Sequence, residues 1–498
     1  MKLPRISQLA GFCSCLALPM LMVACKSTDD PIEQHPPIEF SGPIAPATYA
    51  AMVGDASFQR MRSETFATGY TVESGNLLGR DKSIGTLVLV RARSGEVTGI
   101  VDRPGKQGSF HVGINGRLRF TEAESVDYKN MKDDAPPASP YEMTVERTPP
   151  KQDRAEQEYI DVLAGYSRYA LEKIAEDPIA YAYAMLETAN LNIGNSDAGK
   201  TRLRLAGVRI HEVDFDTSGA GLGKWNSFLS PLRPQYHYDV IMAFGDWAPG
   251  IAGMAYVPGY ASVNAWGAPT AFRHEFAHNV GGNHCNVEQI DDYRFGFDNG
   301  KSATALCNNS VPYYSNPSKR DAHGLPLGNS RTADMARHFR DRTEAMAAYQ
   351  QMFNGERIFL VALNKKVQAT LTIPLKGQFS GVVVLDPSIG PTALMANSAG
   401  GYTSLNVPLQ DDRGNTVNVR LRGSRVLGTC SSRQMNESTN CPVEASNMYF
   451  QLSFEPGDNP TLPAGLYNGT LEMKALDAQT PPPVWSPRIF ASITVQKK

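Results

Sequence analysis

Cysteine is scarce and unevenly placed. Seven occur in 498 residues; Cys13, Cys15 and Cys25 lie at the extreme N-terminus, and none falls between residues 46 and 135. The other four are Cys285, Cys307, Cys430 and Cys441. Cys285 has no second cysteine beside it at metal-ligand spacing, which argues against a thiolate metal site. Excess charge of one sign is also missing: 48 Lys and Arg face 50 Asp and Glu, for a net charge of −2. Such a balance argues against nucleic acid and against electrostatic adhesion to anionic lipid. The apolar stretch Leu16–Ala24 is too short to span a bilayer as a helix. No internal repeat strong enough for a solenoid is present. What remains is an ordinary globular balance, 42% hydrophobic and 20% charged, on a chain long enough for roughly three domains. The 43 Gly and 34 Pro favour turns and β-structure outside the helices.

The N-terminus reads as a targeting segment. Lys2 and Arg5 precede the apolar stretch, which closes on Leu21-Met22-Val23-Ala24-Cys25. A small residue just before a Cys resembles the bacterial lipobox, with Met22 where Leu is usual. The resemblance implies a signal peptide over 1–24, lipidation of Cys25, and an exported chain held to the membrane by lipid, at the cell surface or outer membrane. An ordinary signal peptide with an incidental Cys is the alternative. Residues 25–45 are polar and Pro-rich and read as a tether. Export makes disulfides the default reading for the remaining cysteines. Four allow three pairings, and proximity favours 285–307 and 430–441.

Beyond the tether the texture changes three times. Residues 46–135 alternate short apolar runs with Gly-containing turns, as in GTLVLVRARSGEVTGIVDR, and read as a small β-rich domain. Residues 136–155 are Pro-rich and read as an exposed linker. Residues 156–353 carry five strand patterns (YIDVLAGYS, RLRLAGVRIHEVDF, YDVIMAFGDW, GMAYV, SVNAW) among three helical ones: 167–196, TAFRHEFAHNV, and the run after Thr332. Strands alternating with helices predict a mixed sheet. Residues 354–498 are short strands divided by Gly, Pro, Asn and Asp, which suggests a β-sandwich. The fold class expected is α+β.

The chemistry concentrates in His274-Glu275-Phe276-Ala277-His278-Asn279-Val280-Gly281-Gly282-Asn283-His284. On a helix, residues four apart point to nearly the same side, so His274 and His278 can aim at one point about 2 Å from each nitrogen. Glu275 then sits beside the metal, placed to take a proton from a bound water and later pass it to a leaving amine. Gly281, just past the helical run, can turn the chain in a left-handed conformation and bring His284 round as third ligand. The cofactor expected is one catalytic Zn²⁺.

This stretch is the extended zinc signature of the metzincins. The surrounding 156–353 region resembles reprolysin-like bacterial metallopeptidases and the peptidyl-Asp metallopeptidase group. The resemblance implies a catalytic domain built on a twisted mixed five-stranded sheet with an active-site helix. Ser310 to Pro317 resembles the family's I-M-x-Y-S-N-P turn beneath the metal, with Pro312 where the Met stands. That departure bears on site geometry and metal affinity. Tyr314 falls where astacin- and serralysin-like members place a Tyr that reaches the metal or stabilises the oxyanion; a core Tyr in a turn is the competing reading. Gly253, Met254, Ala255 and Tyr256 lie where such enzymes keep the sheet-edge strand that pairs with substrate, against the plainer reading of a core strand.

The flanks are less informative. Residues 46–135 resemble metzincin propeptides in position and texture. With no Cys they exclude thiolate inhibition, and the sequence leaves open whether they block the cleft, are cut away in the 130–155 linker with release of the protease, or stay. LPAGLYNGTLEMKA resembles strands of fimbrial or adhesin-like domains; a stabilising module is the duller alternative. The acidic stretch 291–298 offers calcium poor spacing and reads better as a solvated loop. The function expected is a zinc endopeptidase acting on a protein or peptide, with a host glycoprotein one candidate partner. The alternative is a surface adhesin or binding lipoprotein whose metzincin domain has lost activity, favoured only by Pro312. Nothing in the sequence fixes substrate specificity or oligomeric state.

Overall fold

The computed structural model describes residues 46–135 apart from 67–68, 82, 93 and 132–133, and residues 159–349 apart from 175–176 and 212. Between 355 and 497 it describes the strands and the turns that join them, but not 363–366, 375–381, 386–392, 395–402, 428–446, 478–483 or 486–488. The lipobox Cys25, the tether, the 136–155 linker and the Cys430–Cys441 pairing lie outside the described residues. The fold is mixed α+β, mostly sheet with a few helices. Among the described residues no helix is long and apolar enough to cross a membrane.

A short helix α1 (Pro46–Val53) leads into β1 (Ser57–Thr65), β2 (Thr71–Leu78), β3 (Ile84–Arg91), β4 (Val97–Arg103), β5 (Lys106–Val112) and β6 (Leu118–Glu122). These six strands pair in sequence order as an antiparallel meander. The run GTLVLVRARSGEVTGIVDR holds the β3–β4 hairpin, closed by the Gly95 amide donating to the Ala92 carbonyl. A two-residue strand, β7 (Asp134–Ala135), follows and joins the next sheet.

The central sheet contains β8 (Tyr159–Ser167), β9 (Arg202–His211), β10 (Val240–Gly245), β11 (Gly253–Tyr256) and β12 (Ala261–Ala265). Its order is β7-β11-β12-β10-β8-β9. β8, β9, β10 and β12 are parallel, and β11 runs antiparallel to β12. Their continuous apolar runs follow from burial on both faces. The single helical pattern over 167–196 is two helices, α2 (Arg168–Ile174) and α3 (Pro178–Asn195). Asp177 caps α3 by accepting from the Ile179 and Ala180 amides, and Pro178 takes the first-turn position where its missing N–H costs nothing. A further helix, α4 (Gly219–Leu229), was not legible, because GAGLG is poor helix sequence. Packing of Leu222, Trp225 and Leu229 against the sheet overrides the propensity. α5 (Arg233–Tyr236) is one turn. The motif helix α6 (Ala271–Val280) follows, and α7 (Met335–Met346) closes the region.

α3 explains how the first two sheets hold together. All its residues except Asn190 and Gly194 are buried, and it lies between β2–β4 on one side and β9 and α6 on the other. One apolar core therefore runs from Val72, Val88, Val90 and Ile100 through Ile179, Met185 and Leu186 to Phe272, Phe276 and Phe339. Polar groups cross the same boundary. Glu187 accepts from Ser74 and Arg62, Asn76 pairs with Asn195, and Tyr70 donates to the capping Asp177. The meander thus packs along one side of α3, and its removal would expose that helix's apolar and charged groups together.

The last region is a ten-stranded hydrogen-bonded sheet, seven of whose strands form its main path. These are β13 (Gly355–Ala362), β14 (Val367–Pro374), β15 (Thr403–Gln410), β16 (Thr416–Leu427), β17 (Asn447–Phe454), β18 (Gly465–Asp477) and β19 (Ile489–Lys497). The group β13-β19-β18 meets the group β15-β16-β17-β14 through one pair, Gln410 with Asn468, so a single bridge joins what would otherwise be two sheets. Asp411 and Asp412, in the β15–β16 turn, meet Arg209 and Arg168 of the central region.

Candidate metal centre

All ten residues of α6 are buried, five of them polar. A buried polar group is tolerated only when partnered. Asn279 donates to the Tyr256 and Ala261 carbonyls, stitching the helix to β11 and β12. Arg273, wholly buried, donates to the Asn309 side chain and carbonyl and pairs with Asp102 of β4 at 2.8 Å. Neither Arg273 nor Asp102 stood out in the sequence. Removing one partner of such a pair leaves an uncompensated charge in the core. Asp102→Ala is expected to destabilise the fold by about 3–5 kcal/mol, seen as a lower thermal or urea midpoint; an unchanged midpoint would show the ion pair to be dispensable.

The other polar face of α6 builds the site. The Nε2 atoms of His274, His278 and His284 form a triangle 3.2 Å on each side. Among the described residues this is the one cluster of three or more His, Cys, Asp or Glu groups able to share a metal ion. Gly281 ends the helix with φ 112°, in the left-handed region, and its amide returns to the Ala277 and His278 carbonyls. The chain then doubles back so that His284, on the short strand Asn283–Cys285, meets the two helical imidazoles. Gly281 thus stands in the conformation expected of it.

Two of the rings are held from behind. His274 Nδ1 lies 2.5 Å from the Ala305 carbonyl and His278 Nδ1 lies 2.9 Å from the Gly282 carbonyl. A carbonyl only accepts, so both Nδ1 atoms carry the proton and both Nε2 atoms present lone pairs. The disulfide Cys285–Cys307, one of the two favoured pairings, ties the residue after His284 to the loop that supplies Ala305. A tetrahedral zinc with bonds of about 2.0–2.1 Å sets its ligand nitrogens about 3.3–3.4 Å apart. The observed triangle fits that donor set to within the flexibility of side chains. Without a cation, lone pairs so close would repel one another.

Glu275 is wholly buried, and its carboxyl lies over Gly253 of β11: a Cβ at Gly253 would come within 2.3 Å of Glu275 Oε1. The glycine therefore makes room for the carboxylate, a role the sequence did not reveal. Met254 and Ala255 are buried, and Tyr256 is partly buried with its carbonyl given to Asn279. Of the edge expected along 253–256, the second half is paired: β7 lies beside it in parallel register, Asp134 beside Ala255 and Ala135 beside Tyr256.

The 310–317 turn lies under α6 and is tied to the end of α3. The Pro312 carbonyl accepts from Asn195, and the Tyr314 amide donates to Ser196 Oγ. Tyr314 is buried and stacked on Phe339 at 4.3 Å, and its hydroxyl donates to the Arg273 carbonyl at 2.8 Å. Burial pushes its phenol far up, so it remains neutral. The structure therefore gives Tyr314 a place supporting α6 and does not bring it among the three nitrogens. Within 291–298, Asp291 pairs with Arg331, Asp292 with Arg294 and Asp298 with Lys129, so these carboxylates do not converge on a calcium site. The Arg294 hydrogen bond lowers the Asp292 pKa. His338 of α7 was also missed; it lies 3.1 Å from the Val280 carbonyl at the end of α6.

No family model matches the chain, and no curated protein matches it. Among solved structures, a chaperone–substrate complex is 17% identical, covers 52% of this chain and 40% of its own, with a TM-score of 0.37. A chaperone–tip adhesin complex of CFA/I fimbriae biogenesis is 13% identical over 29% of this chain and 54% of its own, with a TM-score of 0.19. The CFA/I adhesin of enterotoxigenic E. coli is 11% identical over 29% of this chain and 49% of its own, with a TM-score of 0.21. The chain therefore spans about half the length or less of these structures, and the likeness is too slight to bear on the chemistry at the three imidazoles.

Proposed function

We propose that the chain is a zinc-dependent endopeptidase of the metzincin type, with His274, His278 and His284 as ligands and Glu275 as general base. The observation that carries this reading is the 3.2 Å triangle of imidazole nitrogens, with Nδ1 atoms of two of the rings spent on main-chain carbonyls. Further support comes from the left-handed Gly281 and from a mixed sheet in which β11 alone among β8–β12 is antiparallel. Bound there, zinc supplies Lewis-acid chemistry, lowering the pKa of a water and polarising a peptide carbonyl. Glu275 would be the group that takes a proton from the attacking water and passes it to the departing amine. Gly253 leaves its carboxylate the space to do so, and Ala305 and Gly282 keep two of the ligands in the metal-binding tautomer.

The competing reading, a surface-binding lipoprotein with a silent site, rested on Pro312. In the structure that proline contributes a carbonyl to Asn195, and the three imidazoles still converge. We propose export and a lipid anchor at Cys25 on the lipobox resemblance. The test of the function is hydrolysis of casein or a peptide library by the zinc-loaded chain. Activity should vanish with a chelator and return with zinc; hydrolysis indifferent to chelator would sink the metal mechanism.

A further inference from the structure

α3 is packed along its whole length except on one stripe. Its two residues that are not buried, Asn190 and Gly194, stand four apart and so share a face. Over that face lies a cavity of about 490 Å³, bounded by Met61 and Arg62 of β1 and by residues 199–202, which lead into β9. Sites for small molecules occupy roughly 300–1,000 Å³. Leu191 and Ile193 give the cavity a buried apolar wall, and Met61, 52% exposed, gives it an apolar rim. A Cβ at Gly194 would meet nothing within 4 Å. The charge around this space is one-sided. Glu187 is buried at its base and already accepts from Ser74, Arg62, Asn190 and Arg202. Arg62 also meets Glu64. Lys200 and Arg340 are exposed, and Arg340 lies beside Gly199, its Cγ 3.4 Å from where a Cβ would stand. Asp197 nearby pairs with Lys319 at 2.5 Å. The cations Arg62, Lys200, Arg202 and Arg340 therefore outnumber the carboxylates Glu64 and Glu187, in a chain whose net charge is −2.

We infer that this cavity binds a small organic anion, a carboxylate or a phosphate monoester carried on an apolar body. Arg202 reaches Glu187 through Nη2 alone, so among the described residues its other guanidinium nitrogens are left to donate. A guanidinium takes two oxygens of a carboxylate or phosphate in parallel, and Lys200 adds a point charge at the same rim. The headgroup is thus held at residues 200–202. The apolar body lies along Leu191, Ile193 and Met61, where it removes their surface from water. An inorganic anion would leave that wall wet, and an uncharged hydrocarbon would leave the cations without a partner. None of the residues lining the cavity belongs to the imidazole triangle, so the inference does not rest on the endopeptidase reading.

The test titrates the full chain with octanoate, octyl phosphate and uncharged 1-octanol, followed by isothermal titration calorimetry. The anions should bind at one saturable site, and 1-octanol about tenfold or more weakly, because hydrogen bonds to charged groups carry the difference. Added salt should weaken the anions and leave 1-octanol unchanged. The double variant Lys200→Glu/Arg340→Glu alters two exposed side chains and should weaken octanoate about tenfold or more, with the circular dichroism spectrum unchanged. Gly194→Leu projects a side chain into the open space over α3 and should abolish binding without lowering the thermal midpoint. Binding of only one of the two anions would identify the headgroup and uphold the site. Three results would each overturn it: no saturable binding of either anion below about 10 mM, 1-octanol binding as tightly as octanoate, or octanoate affinity unmoved by both variants.

Discussion

Glu275→Gln is expected to lower kcat/KM by about a thousandfold or more, within the range for loss of a general base, while bound zinc is unchanged. The substitution is nearly isosteric, so the space over Gly253 is still filled and α6 keeps its packing. What is lost is the ability to take a proton from the attacking water. The metal should be retained because the nitrogen triangle belongs to the histidines alone. Zinc content by atomic emission and initial rates on one cleaved peptide measure the two halves. Loss of both would make Glu275 a structural residue; loss of neither would remove it from the mechanism.

His278→Ala is expected to act on the metal itself. The Nδ1 partner of His278, the Gly282 carbonyl, belongs to the turn that brings His284 round. Removing His278 takes away one of three nitrogens and loosens the turn that delivers another. Loss of outer partners alone costs about 10–100-fold in metal affinity, so zinc affinity should fall by more than about 100-fold and hydrolysis with it. Competition with a chromophoric chelator reads the affinity. Unaltered zinc binding in this variant would mean that the ion sits elsewhere.

These effects depend on features of unequal visibility in the sequence. The convergence of His274, His278 and His284 and the turning Gly281 were legible because helix period and a left-handed cap convert residue spacing into geometry. The central strands were legible as apolar runs, since burial on both faces leaves little room for polar residues. α4 was not, because its glycines argue locally against the helix that Trp225 and Leu229 secure by packing. Long-range partners were invisible for a different reason. Asp102 and Arg273 meet across 171 positions, and Tyr128 meets His274 across 146, and nothing in the local pattern around either tyrosine or aspartate announces its destination. Tyr314 shows the converse: position in a recognisable turn suggested the metal, whereas its hydroxyl is committed to the Arg273 carbonyl. The half-covered edge of β11 likewise follows from a two-residue pairing that no periodicity signals.

The most direct measurement is zinc stoichiometry combined with X-ray absorption at the zinc edge of the purified, zinc-loaded chain. One ion per chain, bound by three imidazole nitrogens at about 2.0–2.1 Å and no sulfur, is the predicted result. A folded chain that stays metal-free after loading, or a zinc environment with fewer than three imidazoles, would contradict the account.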